Sequence, residues 1–206
     1  MNHNIQPNKL HLGCFASPLD GWLNTDITSH IYISKIPFLA ELLFRLGKMD
    51  QTRIDQHRDK VFNKVHYLNL AKPFPYSDGS FECVFSAHVF EHIPRKQMAG
   101  LLREILRVLS PGGVMRVSVP DLDFFIRHYQ PECADDFVNA VFEISQANDK
   151  NRHHWMYSAY TLIKLLKDAG FANVRQWGFR EGTCSDIDQL DNRPEHSIFV
   201  EGSKPQ

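Results

Sequence analysis

Apolar and polar positions divide the chain into short alternating runs and longer stretches with helical spacing. Lys9 to Gly13 alternates and ends in glycine, a Ser17-Pro18-Leu19-Asp20-Gly21 turn follows, and Trp22 to Ile27 forms a second run. Both read as strands. Between Thr28 and Lys64 the pattern changes to a short helix at Phe38 to Leu46 and then a polar, charged stretch, Lys48 to Lys64, so the segment reads as an insertion. Val65 to Leu70 is a third strand, and a loop from Pro73 to Gly79 leads to a fourth, largely buried one at Phe81 to Ser86. Arg95 to Leu109 places Leu101, Leu102, Ile105, Leu106 and Leu109 on one helical face and stops at Ser110-Pro111-Gly112-Gly113. Val114 to Val119 is a fifth strand. Helical patterns follow at Asp121 to Tyr129, Asp135 to Ser145 and Ser158 to Ala169, and two closing strands at Ala172 to Phe179 and Ser197 to Gly202.

Strands that alternate with helices predict an α/β protein, a mostly parallel sheet flanked by helices, which binds ligands beyond the carboxyl ends of its strands. At 206 residues the chain is expected to be one domain with an insertion at 28–64, since two ordinary domains would not fit. The hydrophobic and charged fractions, 43% and 23%, are those of globular proteins and argue against disorder. A net charge of -1 offers nothing to a polyanion, so nucleic acid is not expected. No stretch has the length and apolarity of a membrane span, and the polar Met1 to Lys9 lacks a signal peptide's apolar region; a cytoplasmic setting is the expectation. Cys14, Cys83, Cys133 and Cys184 are too dispersed for a zinc pattern and read as free thiols.

Three stretches carry chemistry. Leu10-His11-Leu12-Gly13-Cys14 followed by Gly21-Trp22-Leu23-Asn24-Thr25-Asp26-Ile27, the run Asp78-Gly79-Ser80-Phe81-Glu82 leading to Ser86-Ala87-His88-Val89-Phe90-Glu91-His92-Ile93-Pro94, and Leu109-Ser110-Pro111-Gly112-Gly113 together resemble the class I S-adenosylmethionine-dependent methyltransferases. Within them the chain is similar to a group of small predicted methyltransferases, a likeness extended by His154-Trp155-Met156-Tyr157 and by Arg193 to Glu201. The resemblance implies a Rossmann-like, seven-stranded sheet and methyl transfer from S-adenosylmethionine, yielding S-adenosylhomocysteine, to a small-molecule or carbohydrate-like acceptor. It assigns cofactor contacts to Gly13, Cys14, Phe15, Asp26, Asn69, Leu70, Ser86 and Ala87, and the substrate side to Glu91, His92, Trp155 and Tyr157. Chemistry agrees at several positions. Glycine suits close backbone approach, an acidic strand end accepts hydrogen bonds from ribose hydroxyls, and an Asn oxygen can meet the adenine amino group. A general base would be His88 or His154, since imidazole titrates near neutrality.

Each position also has a plainer reading: Asp26 and Asn69 as turn formers, and the His153 to Tyr157 cluster as packing at a helix start. Two departures stand out. Phe15 replaces a glycine of the family's loop, and the first two strands are too close for a helical crossover, which predicts a reduced one. Phe15 therefore also supports a non-catalytic binding module. His88-Val89-Phe90-Glu91-His92 matches the H-x-x-E-H pattern of a zinc hydrolase, but Pro94 interrupts the helix that pattern requires, so no metal is expected.

Overall fold

The computed structural model describes residues 7–142 and 152–206. Seven strands form one sheet: β1 Lys9–Leu12, β2 Leu23–Asp26, β3 Val65–Tyr67, β4 Phe81–Ala87, β5 Leu109–Pro120, β6 Ala172–Trp177 and β7 Ser197–Ser203. Their order is β3-β2-β1-β4-β5-β7-β6, all parallel except β7, which runs antiparallel to both neighbours. The α/β sheet expected from the alternating pattern is therefore present. Order reverses between β1 and β4, the kind of switch point beside which such sheets bind ligands.

The helices are α1 His30–Ile33, α2 Leu39–Arg45, α3 Gln51–Arg58, α4 Arg95–Val108, α5 Leu122–Arg127, α6 Ala134–Phe142, α7 Ala159–Asp168 and α8 Ile187–Leu190. The helix read over Asp135 to Ser145 extends beyond the described residues. The 28–64 segment serves as the crossover from β2 to β3, and its polar half contains α3, which apolar spacing could not reveal because only Ile54 is buried. Instead a cap marks it: Asp50 accepts the backbone N–H of Arg53 at 2.8 Å. The third strand is shorter than expected, leaving Leu68, Asn69 and Leu70 in the loop that follows it.

Between β1 and β2 there is no helix. Each strand has only four residues and so covers about 13 Å, a distance that an irregular return over residues 13–22 can span. Asn24 fastens that return. Its Oδ1 accepts the Leu19 N–H at 2.9 Å, while its Nδ2 donates to the carbonyls of Leu19 and Trp22 at 2.9 and 3.0 Å.

Alternation sorts the side chains of β1 between the two faces of the sheet. Leu10 and Leu12 enter the main core with Met98, Leu101, Leu102 and Ile105 of α4 and Leu162 and Leu166 of α7. Truncating such a buried leucine to alanine costs about 2–5 kcal/mol. His11 faces the other way, against Trp22 and Phe85, where a second cluster of Trp22, Cys83, Phe85, Cys184 and Leu190 joins this face to the region around α8. The four cysteines are free thiols. No described helix is long and apolar enough to cross a membrane.

Candidate functional site

A cleft of about 830 Å³ opens beyond the carboxyl ends of β1, β2, β3 and β4, lined in part by Gly13, Asp26, Asn69, His88, Glu91 and His154. A second cleft of similar size lies at the β6 and β7 edge of the sheet. Only the first lies at the switch point and gathers the residues singled out from sequence, which makes it the candidate site.

At the β1 end the chain turns with positive φ at both Gly13 and Phe15, 68° and 44°. A Cβ at position 13 would stand 2.3 Å from Val89 Cγ2, so glycine is required there by the neighbouring loop as well as by its left-handed backbone. The Phe15 ring lines the cleft and also leans on the 28–64 segment. It lies 6.0 Å from the Phe62 ring and 4.3 Å below the Arg53 guanidinium.

The two Asp26 oxygens accept the backbone N–H groups of Phe15 and Thr28, at 3.0 and 2.8 Å. The carboxylate thus shapes the turn and still holds open lone pairs toward the cleft, so its two expected roles are compatible. Asn69 behaves similarly: its Oδ1 accepts the Ala71 N–H at 2.9 Å, an Asx-turn that leaves the amide donors available.

On the far side, His88 takes a left-handed conformation, φ 53°. Its backbone N–H donates to the Ser118 carbonyl at 2.9 Å, and Nε2 stands 3.2 Å from Ser197 Oγ. Nδ1 lies 3.3 Å from Glu91 Oε1 but outside hydrogen-bond geometry, so both Glu91 oxygens are buried without a partner. Residues 90–92 form a single 3-10 turn instead of an α-helix, so the helical arrangement behind the H-x-x-E-H pattern is absent. The Glu91 carbonyl accepts the N–H groups of His154 and Trp155 at 2.7 and 3.2 Å, docking that cluster against the cleft.

The cleft therefore brings together Gly13, Phe15, Asp26, Asn69, Leu70, His88, Glu91, His92 and His154. The other expected contacts lie elsewhere. Cys14 is buried against Ile31 and Val65, where burial and then the charge of Asp26 push its thiol pKa up. Ser86 is wholly buried within β4, and Ala87 packs on the second cluster. Tyr157 is a core residue whose phenol burial pushes up to about 12. Trp155 lies on the surface with the Arg95 guanidinium 4.4 Å from its ring. None of these five lines the cleft: packing within the sheet and core accounts for four of them, and Trp155 turns to the surface.

The sequence profile of the methyltransferase domain matches residues 22–176. The chain belongs to this family. Demethylmenaquinone methyltransferase of Staphylococcus aureus is 29% identical over 125 residues, 56% of this chain and 50% of that protein; the chain thus matches about half the length of these curated relatives. Among solved structures, an S-adenosylmethionine-dependent methyltransferase of Methanosarcina mazei superposes with a TM-score of 0.54 at 16% identity, covering 96% of this chain and 92% of the other. A Thermotoga maritima enzyme of the same description gives 0.53 and 16%, covering 96% and 82%. Phosphoethanolamine N-methyltransferase 2 of Haemonchus contortus, solved with S-adenosyl-L-methionine, gives 0.54 and 14%, covering 98% and 49%. These likenesses show the class I methyltransferase fold.

Some elements of this methyltransferase domain escaped sequence reading. Arg193, Gln97 and His153 also line the cleft. A fully buried network lies beneath the second cluster: Arg116 donates through Nε to Asp191 Oδ1 at 2.7 Å and through Nη2 to Asp191 Oδ2, and through Nη1 to Glu201 Oε1 at 3.0 Å. It also donates to the carbonyls of Glu181 and Gly178, tying that loop to the sheet. The available signal was a charged residue, Arg116, inside the strand Val114 to Val119.

Proposed function

We propose that this chain transfers a methyl group from S-adenosylmethionine to a small or carbohydrate-like acceptor, in a cytoplasmic setting. The observation that carries the reading is Asp26, placed at the β2 end with its carboxylate on the cleft and lone pairs beyond its two backbone bonds. Asp26 would accept the ribose hydroxyls and Asn69 would meet the adenine edge, with Gly13 and Leu70 beside them. The cofactor supplies a methyl group already activated on a sulfonium, so rate arises chiefly from alignment of two reactants. His88 and His154, which also line the cleft, would take a proton from an acceptor hydroxyl or amine. The curated relative's quinone-type acceptor widens the screen without deciding it.

The test is direct. S-adenosylhomocysteine at about 100 times its Kd should stabilise the fold by about 2.7 kcal/mol, read as a rise in Tm, and S-adenosylmethionine should support turnover in an acceptor screen. No shift at millimolar ligand, with no heat on calorimetric titration, would sink the cofactor assignment. Tight binding without turnover on any acceptor would favour the binding module that Phe15 suggests.

A further inference from the structure

We propose that Glu91, His92 and His153 form a binding site for one divalent transition-metal ion of the Zn2+ class, at the acceptor side of the cleft. Among the described residues, one potential ligand atom from each lies within 4.8 Å of the others. Glu91 is fully buried, and neither oxygen has a hydrogen-bond partner. His88 Nδ1 stands 3.3 Å from Oε1, outside hydrogen-bond geometry, so a buried carboxylate here gains from a cation that its oxygens can bind directly.

The two imidazoles are held in a way that prepares them as ligands. His92 Nδ1 lies 3.1 Å from the Arg152 carbonyl and His153 Nδ1 2.9 Å from the Val141 carbonyl. A carbonyl only accepts, so each Nδ1 is the donor in these contacts, and Nε2 is the ring nitrogen through which each histidine would ligate an ion. Fixing the tautomer by a backbone carbonyl is what metal-binding histidines use. The rings pack edge to face at 5.0 Å, and each offers a ligand atom within 4.8 Å of a Glu91 oxygen.

Two histidines and one carboxylate are a ligand set that Zn2+ accepts, with a fourth position left for water or substrate. Bonds of about 2.0–2.2 Å put ligand atoms at most about 4.4 Å apart, so a small side-chain rotation closes the site. All three residues line the cleft, so the open position faces it. The site differs from the sequence motif. His153, 61 positions after His92, replaces His88, and the turn at 90–92 replaces the helix. That an oxygen of the methyl acceptor completes the ion's shell rests on the function proposed above; binding of the ion does not.

Chelator-stripped full-length protein titrated with Zn2+ in a calorimeter should bind one equivalent, and Co2+ should give visible d–d bands of a nitrogen and oxygen site. Glu91→Gln, His92→Asn and His153→Asn should each weaken Zn2+ by about tenfold or more. The separate His30 and His57 pair, whose ring nitrogens lie 2.9 Å apart, supplies the control: His57→Ala should bind as the wild type does. Near-isosteric Glu91→Gln keeps the test valid if a histidine variant fails to fold. Absence of stoichiometric binding, unchanged affinity in Glu91→Gln, or loss in His57→Ala would overturn the site. Titrating S-adenosylhomocysteine into the stripped protein separates failure of this site from failure of the cofactor reading.

Discussion

Two groups of buried charge differ in one respect: around Arg116 every charged partner is matched, whereas around Glu91 the carboxylate is left open. Arg116, Asp191 and Glu201 are fully desolvated, and nearby backbone N–H groups of Arg180, Thr183 and Cys184 donate to the two carboxylates. Its desolvation is met by matched charges and directed hydrogen bonds, and no part of it faces the candidate cleft. Glu91 is equally buried, has no such donors, and faces the cleft. A satisfied network fixes structure; an unsatisfied one at a cleft stores interaction for something that arrives.

The comparison breaks most visibly at Arg116. Arg116→Ala should lose about 3–5 kcal/mol of stability, because two carboxylates are left buried without their cation; a denaturant midpoint close to that of the wild type would mean that the network is solvated. Next is acid sensitivity on the same face. Burial lowers the pKa of His11 to about 4, with Asn24 opposing in part. The fold favours its neutral form, so its contribution to stability is full above pH 6.5 and falls as pH drops from there toward 4. A depression of that size corresponds to about 3 kcal/mol. His11→Gln should flatten the pH dependence of stability across that window, and an unaltered slope would place the acid response elsewhere.

Asp26 lies between the two extremes, half engaged and half open. Asp26→Ala should weaken S-adenosylhomocysteine by about 1.5–3 kcal/mol on calorimetric titration, the scale of lost charged hydrogen bonds; unchanged affinity would reduce Asp26 to its turn. At Glu91 the two regions should respond in opposite directions. In metal-free protein Glu91→Gln should raise stability by about 1–2 kcal/mol by removing a buried carboxylate that accepts no hydrogen bond, while methyl transfer falls; a lower Tm would mean that the carboxylate is already satisfied, with His88 3.3 Å away as its partner. The smallest effect belongs to Phe15. Glycine relieves its positive φ and alanine does not, so Phe15→Gly should be more stable than Phe15→Ala by about 1 kcal/mol, measured by denaturant unfolding. Equal stabilities would show that the loop relaxes.

Period and punctuation made much of the fold legible. Leu101, Leu102 and Ile105 identify α4, which buries one repeating face, and alternation around Val117 identifies β5, although Met115 to Pro120 are buried on both faces. α3 escaped because its polar residues leave almost no apolar stripe, and its Asp50 cap is a finding of the structure. In the cleft, Asp26, Asn69 and His88 were readable because they stand at the end of a strand, or just beyond one, whose position was readable. Cys14 and Tyr157 fall outside the cleft lining because side-chain direction beyond a strand depends on partners distant in sequence. His153 could not be joined to Glu91 from spacing at all; only the docking of 152–157 beneath the Glu91 carbonyl brings them together. Arg193 is positioned with the same dependence on tertiary structure, next to an Asp191 held by Arg116.

The helix-free return between β1 and β2 has a consequence for the order in which a growing chain can mature. Trp22, at the end of that return, donates its indole N–H to Asp186 at 2.9 Å, 164 positions later, and the same carboxylate takes the ammonium of Lys9 at 2.7 Å. A helix between the first two strands would be synthesised with them and could cover Trp22 at once. Here the cover comes from near α8, so β1 and β2 stay bare on that face until the segment around Asp186 has been made. A chain arrested after β5 would expose Trp22 and Phe85 together, a surface for holding chaperones to recognise.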